Sequence, residues 1–154
     1  MITVSPHIVV PDAGEACTWY ARAFGAQEIG RVPLPGDRVM SAEVQIGESA
    51  IHIASEFPEA GILSPRSIGG TATVFQITTE DAAALWRQAL DAGAEERHPL
   101  AEQFWGELHG QLSDPFGHRW NIAQKIRDVP QDELAAAAAE MFGQPSSGSA
   151  STDG

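Results

Sequence analysis

The chain has 154 residues, of which nine are basic and twenty-one acidic, and its formal net charge at pH 7 is −12. A surface this negative repels the phosphate backbone of nucleic acids, so we expect no nucleic-acid partner. No apolar run is long enough to span a bilayer, no signal-peptide pattern is present, and a single cysteine, Cys17, excludes an internal disulfide. We therefore expect one cytoplasmic domain without a membrane partner.

The first predicted elements are a short strand and a helix. The β-branched run at residues 8–10 is typical of a buried strand. Asp12 and Glu15 have the spacing of a capping box, in which the Asp12 side chain accepts a hydrogen bond from a free helical N–H. An apolar stripe at helical spacing precedes Gly25, which is typical of a helix end: Ala13, Ala16, Cys17, Tyr20 and Phe24.

Two further strands are predicted at residues 38–46 and 50–55, around a turn at residues 47–49. Alternation assigns Met40, Ala42, Val44 and Ile46 to the buried face of the first of these strands. Glu43 then lies on the opposite face, which we expect to be the outer one, away from any cleft. Residues 56–70 are rich in proline and glycine and are interpreted as a linker.

The second half repeats the pattern of the first. Residues 75–94 match residues 7–26 at a constant offset, which pairs Asp12 with Glu80. Strands are predicted at residues 107–113 and 118–124, around a turn at residues 114–117 that contains proline and glycine. A last helix is predicted at residues 129–142, capped by Asp128 and with Pro130 in its first turn.

Five segments carry a family resemblance: VVPDAGEACTWYARAFGA, RVMSAEVQIGES, ASEFPEAGILSP, AEQFWGELHG and DPFGHRWNIA. On these segments the chain resembles the vicinal oxygen chelate superfamily, which includes glyoxalase I, extradiol dioxygenases and bleomycin-resistance proteins, and within it the PhnB-like branch. The resemblance implies an α+β fold in which two βαβββ modules form an open curved mixed sheet. It also implies a homodimer with its ligand in a concave cleft.

On this reading, residues 1–127 form the glyoxalase/bleomycin-resistance-like domain, with modules at about residues 1–56 and 71–127. The C-terminal helix occupies residues 128–143. Residues 144–154 contain no large aliphatic or aromatic side chain and are expected to be a disordered tail.

The resemblance also gives the positions at which metal-dependent members hold a divalent ion: Ser5, His52, Val74 or Thr73, and Asn121. Of these only His52 is a good ligand. Because strand residues two apart share a face, His7 and Gln76 also point toward the cleft. We expect no cofactor and interpret the histidines as hydrogen-bonded pocket residues, because no carboxylate accompanies them. The alternative is a divalent ion, Zn, Ni, Mn, Fe or Co, held by His7, His52 and Gln76.

The residues expected to contact a ligand are His7, His52, Gln76, Gln103, Trp105, Trp120 and Asn121. Trp105 and Trp120 either stack on a flat ligand or belong to the core, and the pattern leaves both open. Gln103 and Asn121 offer polar groups that would orient the ligand.

Three functions remain in view. The first is a metal-free small-molecule binding protein, akin to the drug-sequestering antibiotic-resistance members, in which the acidity of the protein favours a cationic guest. The alternative is a divalent-metal-dependent lyase, isomerase or dioxygenase that polarises two neighbouring oxygens of its substrate. A weaker third is an interaction module that uses the C-terminal helix.

Overall fold

A computed structural model describes residues 1–143. The first module is a strand, a helix and three further strands: β1 His7–Val10, α1 Ala13–Phe24, β2 Gln27–Leu34, β3 Arg38–Ile46 and β4 Ser49–Ser55. These strands form one sheet in the order β1-β4-β3-β2. β1 is parallel to β4, whereas the β2–β3 and β3–β4 pairs are antiparallel.

The second module repeats this order after a connection that contains a 3-10 turn, Pro58–Ala60, and a short helix, α2 Pro65–Ile68. Its elements are β5 Val74–Thr78, α3 Ala82–Asp91, β6 Glu95–Glu102, β7 Glu107–Ser113 and β8 Arg119–Lys125. The sheet order β5-β8-β7-β6 and the parallel β5–β8 pair match the first module. The expected α+β fold of two βαβββ modules is therefore confirmed.

The helix caps correct the register of the repeat. Asp12 Oδ1 accepts a hydrogen bond from Glu15 N at 2.8 Å, as expected. In the second module the cap is Asp81, whose Oδ1 accepts from Ala84 N at 3.1 Å. Asp12 therefore corresponds to Asp81 and not to Glu80. The helix starts correspond one residue later than the constant offset predicts, and α3 is the shorter helix, with 10 residues against 12 in α1.

Two strands were not located from the sequence, β2 and β6. Both are the last strand in the order of their sheet and are almost fully exposed, so neither carries the apolar pattern of a buried strand. Gly30 and Pro33 interrupt β2, and Pro99 interrupts β6. Proline and glycine are tolerated in such edge strands because one side of the strand needs no hydrogen-bonded neighbour.

The C-terminal helix, α4, spans Gln131–Phe142, and its N-cap is Pro130. The predicted cap Asp128 is wrong, because its carboxylate forms an ion pair with Lys125 before the helix begins. The aromatic ring of Phe142 lies 6.4 Å from that of Phe104, but the Phe142 side chain remains 74% exposed. None of the helices in residues 1–143 has the length and apolarity needed to cross a membrane. The expected disordered tail, residues 144–154, lies outside the described residues.

The two modules share one core, which is crossed by hydrogen bonds around Asp114. Its carboxylate accepts from Tyr20 Oη of α1 at 2.5 Å and from Trp120 Nε1 of β8 at 2.9 Å. It also accepts from the backbone N–H groups of Phe116 and His118, both at 2.9 Å. Burial and the neighbouring Asp114 carboxylate raise the pKa of Tyr20 well above its ordinary value, so the phenol stays a donor.

A second contact between the modules fixes β1. The imidazole of His118, which is buried in the turn before β8, donates from Nε2 to the Val9 carbonyl at 2.8 Å. On the helix side, Trp19 Nε1 of α1 donates to the Ala92 carbonyl after α3 at 2.8 Å. The second module therefore forms hydrogen bonds to the first at both its helix, α1, and its first strand, β1.

Candidate functional site

The first sheet buries one face against α1 and leaves the other face open as a cleft of about 930 Å³. This volume lies in the range of small-molecule sites, roughly 300–1,000 Å³. Both polar and apolar side chains line the cleft: His7, Ser41, Glu43, His52, Ile29, Val32, Met40, Phe57 and Ile62. The lining comes entirely from the first module and the start of the connection that follows it.

Three ionisable side chains lie side by side on the floor of the cleft and are called here the histidine row: His7, His52 and Glu43. Strand register puts them there, since His7 is opposite His52 in the β1–β4 pair and His52 is opposite Glu43 in the β3–β4 pair. The rings of His7 and His52 are 6.3 Å apart. His52 Nδ1 lies 3.9 Å from Glu43 Oε2.

Glu43 corrects two expectations. Its side chain does point away from the helix-covered face, but the other face of this sheet is the cleft and not an outer surface. A carboxylate therefore accompanies the histidines after all. The alternation of β3 predicted this orientation correctly, and the error was to equate the face opposite the core with the outside of the protein.

Apolar side chains form the walls on both sides of the row. Ile29 and Val32 of β2 stand on one side together with Met40, which is 41% exposed and not buried as expected. A register shift in the β2–β3 pair, between Val32 and Pro33, interrupts the alternation there. Val39 takes the buried position instead.

The opposite wall is carried by the connection. Phe57 and Ile62 exchange backbone hydrogen bonds at 2.9 and 3.1 Å, which holds both side chains at the cleft. Glu56 anchors this loop by accepting from Ser64 N at 2.6 Å and from Ser67 Oγ at 2.5 Å. These hydrogen bonds lower the pKa of Glu56, so the anchor stays ionised at neutral pH.

The second sheet carries a matching set of side chains, called here the amide row: Gln76, Asn121 and Gln111. Gln76 is opposite Asn121 in the β5–β8 pair, and Asn121 is opposite Gln111 in the β7–β8 pair. Gln111 Nε2 donates to Asn121 Oδ1 at 3.1 Å. The predicted pair Gln76 and Asn121 is thus brought together, and Gln111 is the member that the sequence reasoning missed.

Aromatic and acidic side chains flank the amide row. Trp105 stands edge-on to His109 with ring centres 5.2 Å apart, and its Nε1 donates to Glu107 Oε1 at 2.5 Å. His109 lies two residues before Gln111 on β7 and so shares its face. Trp105 therefore contacts the face of the second sheet that carries the amide row.

Two expected ligand residues have other positions. Trp120 is 2% exposed and packs among Tyr20, Phe24 and Phe75 in the shared core. Gln103 lies in the turn between β6 and β7, where its backbone closes the turn and its side chain donates to the Ala101 carbonyl at 3.4 Å.

The side chains at the family's metal-ligand positions do not fit a metal ion. Val74 offers no donor atom, and the oxygen of the Asn121 amide already accepts from Gln111. In the displaced set, Gln76 belongs to the second sheet, while His7 and His52 belong to the first. Within residues 1–143, no group of three or more histidine, cysteine, aspartate or glutamate side chains is arranged to hold a metal ion.

The paired βαβββ modules and the ligand-sized concave cleft together indicate one class of protein, and the comparison with known families identifies the same class. The chain belongs to the Glyoxalase/Bleomycin resistance protein/Dioxygenase superfamily, which it matches over residues 3–122.

Its relatives are spread between bacteria and plants. The chain is 38% identical over 137 residues to the uncharacterized protein Rv0887c of Mycobacterium tuberculosis, covering 87% of this chain and 81% of that protein. The solved structure of the Arabidopsis thaliana protein At5g48480 has a TM-score of 0.64 at 31% identity, covering 80% of this chain and 98% of that chain. A bleomycin-binding protein complexed with bleomycin shares the fold, with a TM-score of 0.58 at 20% identity, covering 81% and 99% of the two chains.

Proposed function

We propose that this protein binds a small, largely apolar molecule in the cleft of the first module and sequesters it. The observation that carries the proposal is the cleft itself, about 930 Å³ in volume, with apolar walls and a polar floor. Such a composition gives affinity through apolar burial and orientation through a few polar groups. The likeness in fold to a bleomycin-binding protein supports a drug-like guest.

The proposal includes a homodimer in which a second copy completes the site. The amide row and Trp105 support it, because they form a second face in each chain with polar and aromatic groups suited to a ligand. The cleft of the first module is open to solvent on one side, and such a face from a second copy would cover it. Light scattering at micromolar concentration should give twice the chain mass of 16.4 kDa. A monomer at that concentration would contradict the shared cleft.

The proposed site works without a resident metal, which the donor set at the family's ligand positions supports. Elemental analysis of the purified protein should find no stoichiometric Zn, Ni, Mn, Fe or Co. Addition of these ions should shift the midpoint of thermal unfolding equally in the protein and in His52→Ala. Stoichiometric metal that His52→Ala loses would instead favour the lyase, isomerase or dioxygenase alternative.

We also propose that the protein belongs to the PhnB-like branch, on the basis of the segments AEQFWGELHG and DPFGHRWNIA. We propose that it is cytoplasmic, on the basis of its single cysteine.

The direct test of binding uses the uncharged apolar dye Nile red and a variant that fills the cleft. Ala54 lies beside the histidine row, opposite Ser41 on β3, so Ala54→Trp places an indole on the floor. Dye fluorescence should rise on binding to the protein and fall at least tenfold in this variant. Ala83→Trp adds the same side chain on the exposed side of α3 and is the matched control. Equal dye binding by both variants would refute the proposed site.

A further inference from the structure

We infer that Glu43 makes the cleft selective for a ligand that carries a protonated amine on an apolar body. The inference rests on the proposed function, since it concerns which molecules the same cleft accepts. Glu43 stands in the middle of the floor, between His52 on β4 and the Ile29–Val32 wall on β2. Its side chain is 40% exposed, so the carboxylate is open to a ligand from the cleft.

The carboxylate has no strong cationic partner within the described residues. Its nearest basic group is His52, whose Nδ1 lies 3.9 Å away, beyond hydrogen-bond distance. The floor of the cleft therefore presents a carboxylate that is free to pair with a cationic group of a ligand.

Arg31 also lines the cleft and carries a positive charge. Its guanidinium is held by Glu28, with Nε at 3.0 Å and Nη2 at 2.5 Å from the two carboxylate oxygens. The Arg31–Glu28 pair lowers the pKa of Glu28 and keeps both charges engaged with each other. Arg31 therefore does not offset the charge of Glu43.

Because the walls are apolar, the Glu43 carboxylate determines which head group the cleft prefers. A ligand that fills the cleft removes water from the carboxylate, and an unpaired charge is costly to desolvate. A protonated amine compensates this cost by forming a charge-assisted hydrogen bond, whereas an alcohol compensates it less and a second carboxylate repels. The amide row of the second module carries Gln111 at the position of Glu43, so the charge belongs to one half of the protein.

The test compares three eight-carbon ligands that carry different head groups: octylamine, octanol and octanoate. Each is titrated at pH 8 against protein loaded with Nile red, and displacement of the dye gives the relative affinity. The amine should bind about fivefold more tightly than the alcohol, which is the size expected for a partly exposed ion pair. Octanoate should bind more weakly than either.

Three variants separate the local charge from the overall acidity. Glu43→Gln should abolish the preference for the amine, because amine and alcohol then meet the same uncharged amide, and Glu43→Asp should retain most of it. Glu48→Gln removes the same charge from the exposed turn between β3 and β4, outside the cleft, and should behave like the unmodified protein.

Alcohol binding without preference for the amine, or a preference that Glu48→Gln weakens as much as Glu43→Gln, would overturn the role of Glu43 and leave the proposed function intact. Failure of all three ligands and of Nile red to bind would overturn both.

Discussion

The two modules place different chemistry at the same backbone positions. His7, His52 and Glu43 occupy β1, β4 and β3 of the first sheet, and the amide row occupies the corresponding strands of the second. The first row is ionisable and stands between apolar walls, whereas the second is uncharged and flanked by Trp105. Strand pairing therefore determines which side chains lie next to one another in each row, and the residue types determine which ligand groups the row can bind.

The packing beneath the rows differs in the same way. In the second module the ring of Trp86 on α3 fills the space above Gly110 of β7, where an added Cβ would lie 2.7 Å from it. The corresponding positions of the first module hold the smaller Cys17 on α1 and the larger Ala42 on β3. A large helix residue thus goes with the smallest strand residue, which conserves the volume of the layer between helix and sheet.

The largest expected effect comes from breaking the junction of the modules. Asp114→Ala leaves four donors without their acceptor inside the core and should lower the free energy of unfolding by about 3–5 kcal/mol, as measured by urea denaturation. Tyr20→Phe removes one donor and should cost about 1–2 kcal/mol. Similar losses in the two variants would mean that Asp114 does not organise the junction.

A smaller effect is expected from the packing difference. Gly110→Ala puts a methyl group 2.7 Å from the Trp86 ring and 2.9 Å from Leu100 Cα, so we expect a loss of about 1–3 kcal/mol in the same measurement. Gly30→Ala is the matched control, because a Cβ on Gly30 meets no atom within 4 Å. If both variants unfold at the same urea concentration, the close approach of Trp86 is not a constraint.

The smallest expected effect is on the reactivity of the Cys17 thiol, and it leaves the stability of the protein unchanged. Burial and the nearby carboxylate of Glu28 raise the pKa of Cys17 to about 11, so the thiol is protonated at neutral pH. Labelling of the native protein with iodoacetamide should be far slower than labelling of the urea-unfolded chain, and its rate should rise with pH up to about 11. Fast labelling at pH 7 would contradict a protonated thiol and indicate a thiolate at Cys17.

Much of the fold could be predicted because local signals and burial agree. The Asp12 cap, the apolar stripe of α1 and the Gly25 end all depend on residues close in sequence, and the structure has each of them. The edge strands β2 and β6 could not be located, since an exposed strand needs no apolar alternation. Asp128 failed as a cap because its partner is the neighbouring Lys125.

The candidate site was only half predictable. Asn121 and Trp120 were both assigned to the ligand, although adjacent strand residues face opposite sides, and the structure places Trp120 in the core. Alternation also contained the signal for Glu43, since the face opposite Ala42 and Val44 is the face of His52. Which strands pair and in which register depends on contacts distant in sequence, so the complete rows could not be assembled from the sequence.

The sharing of Asp114 between the modules limits how such a chain can change over evolutionary time. The carboxylate belongs to the second half of the gene and its phenol partner, Tyr20, to the first. A half acquired from a relative by recombination would bring its own turn but would meet whatever residue the recipient helix holds at position 20. A recombinant would keep the junction only where its first half supplies a hydrogen-bond donor at position 20 for the Asp114 carboxylate.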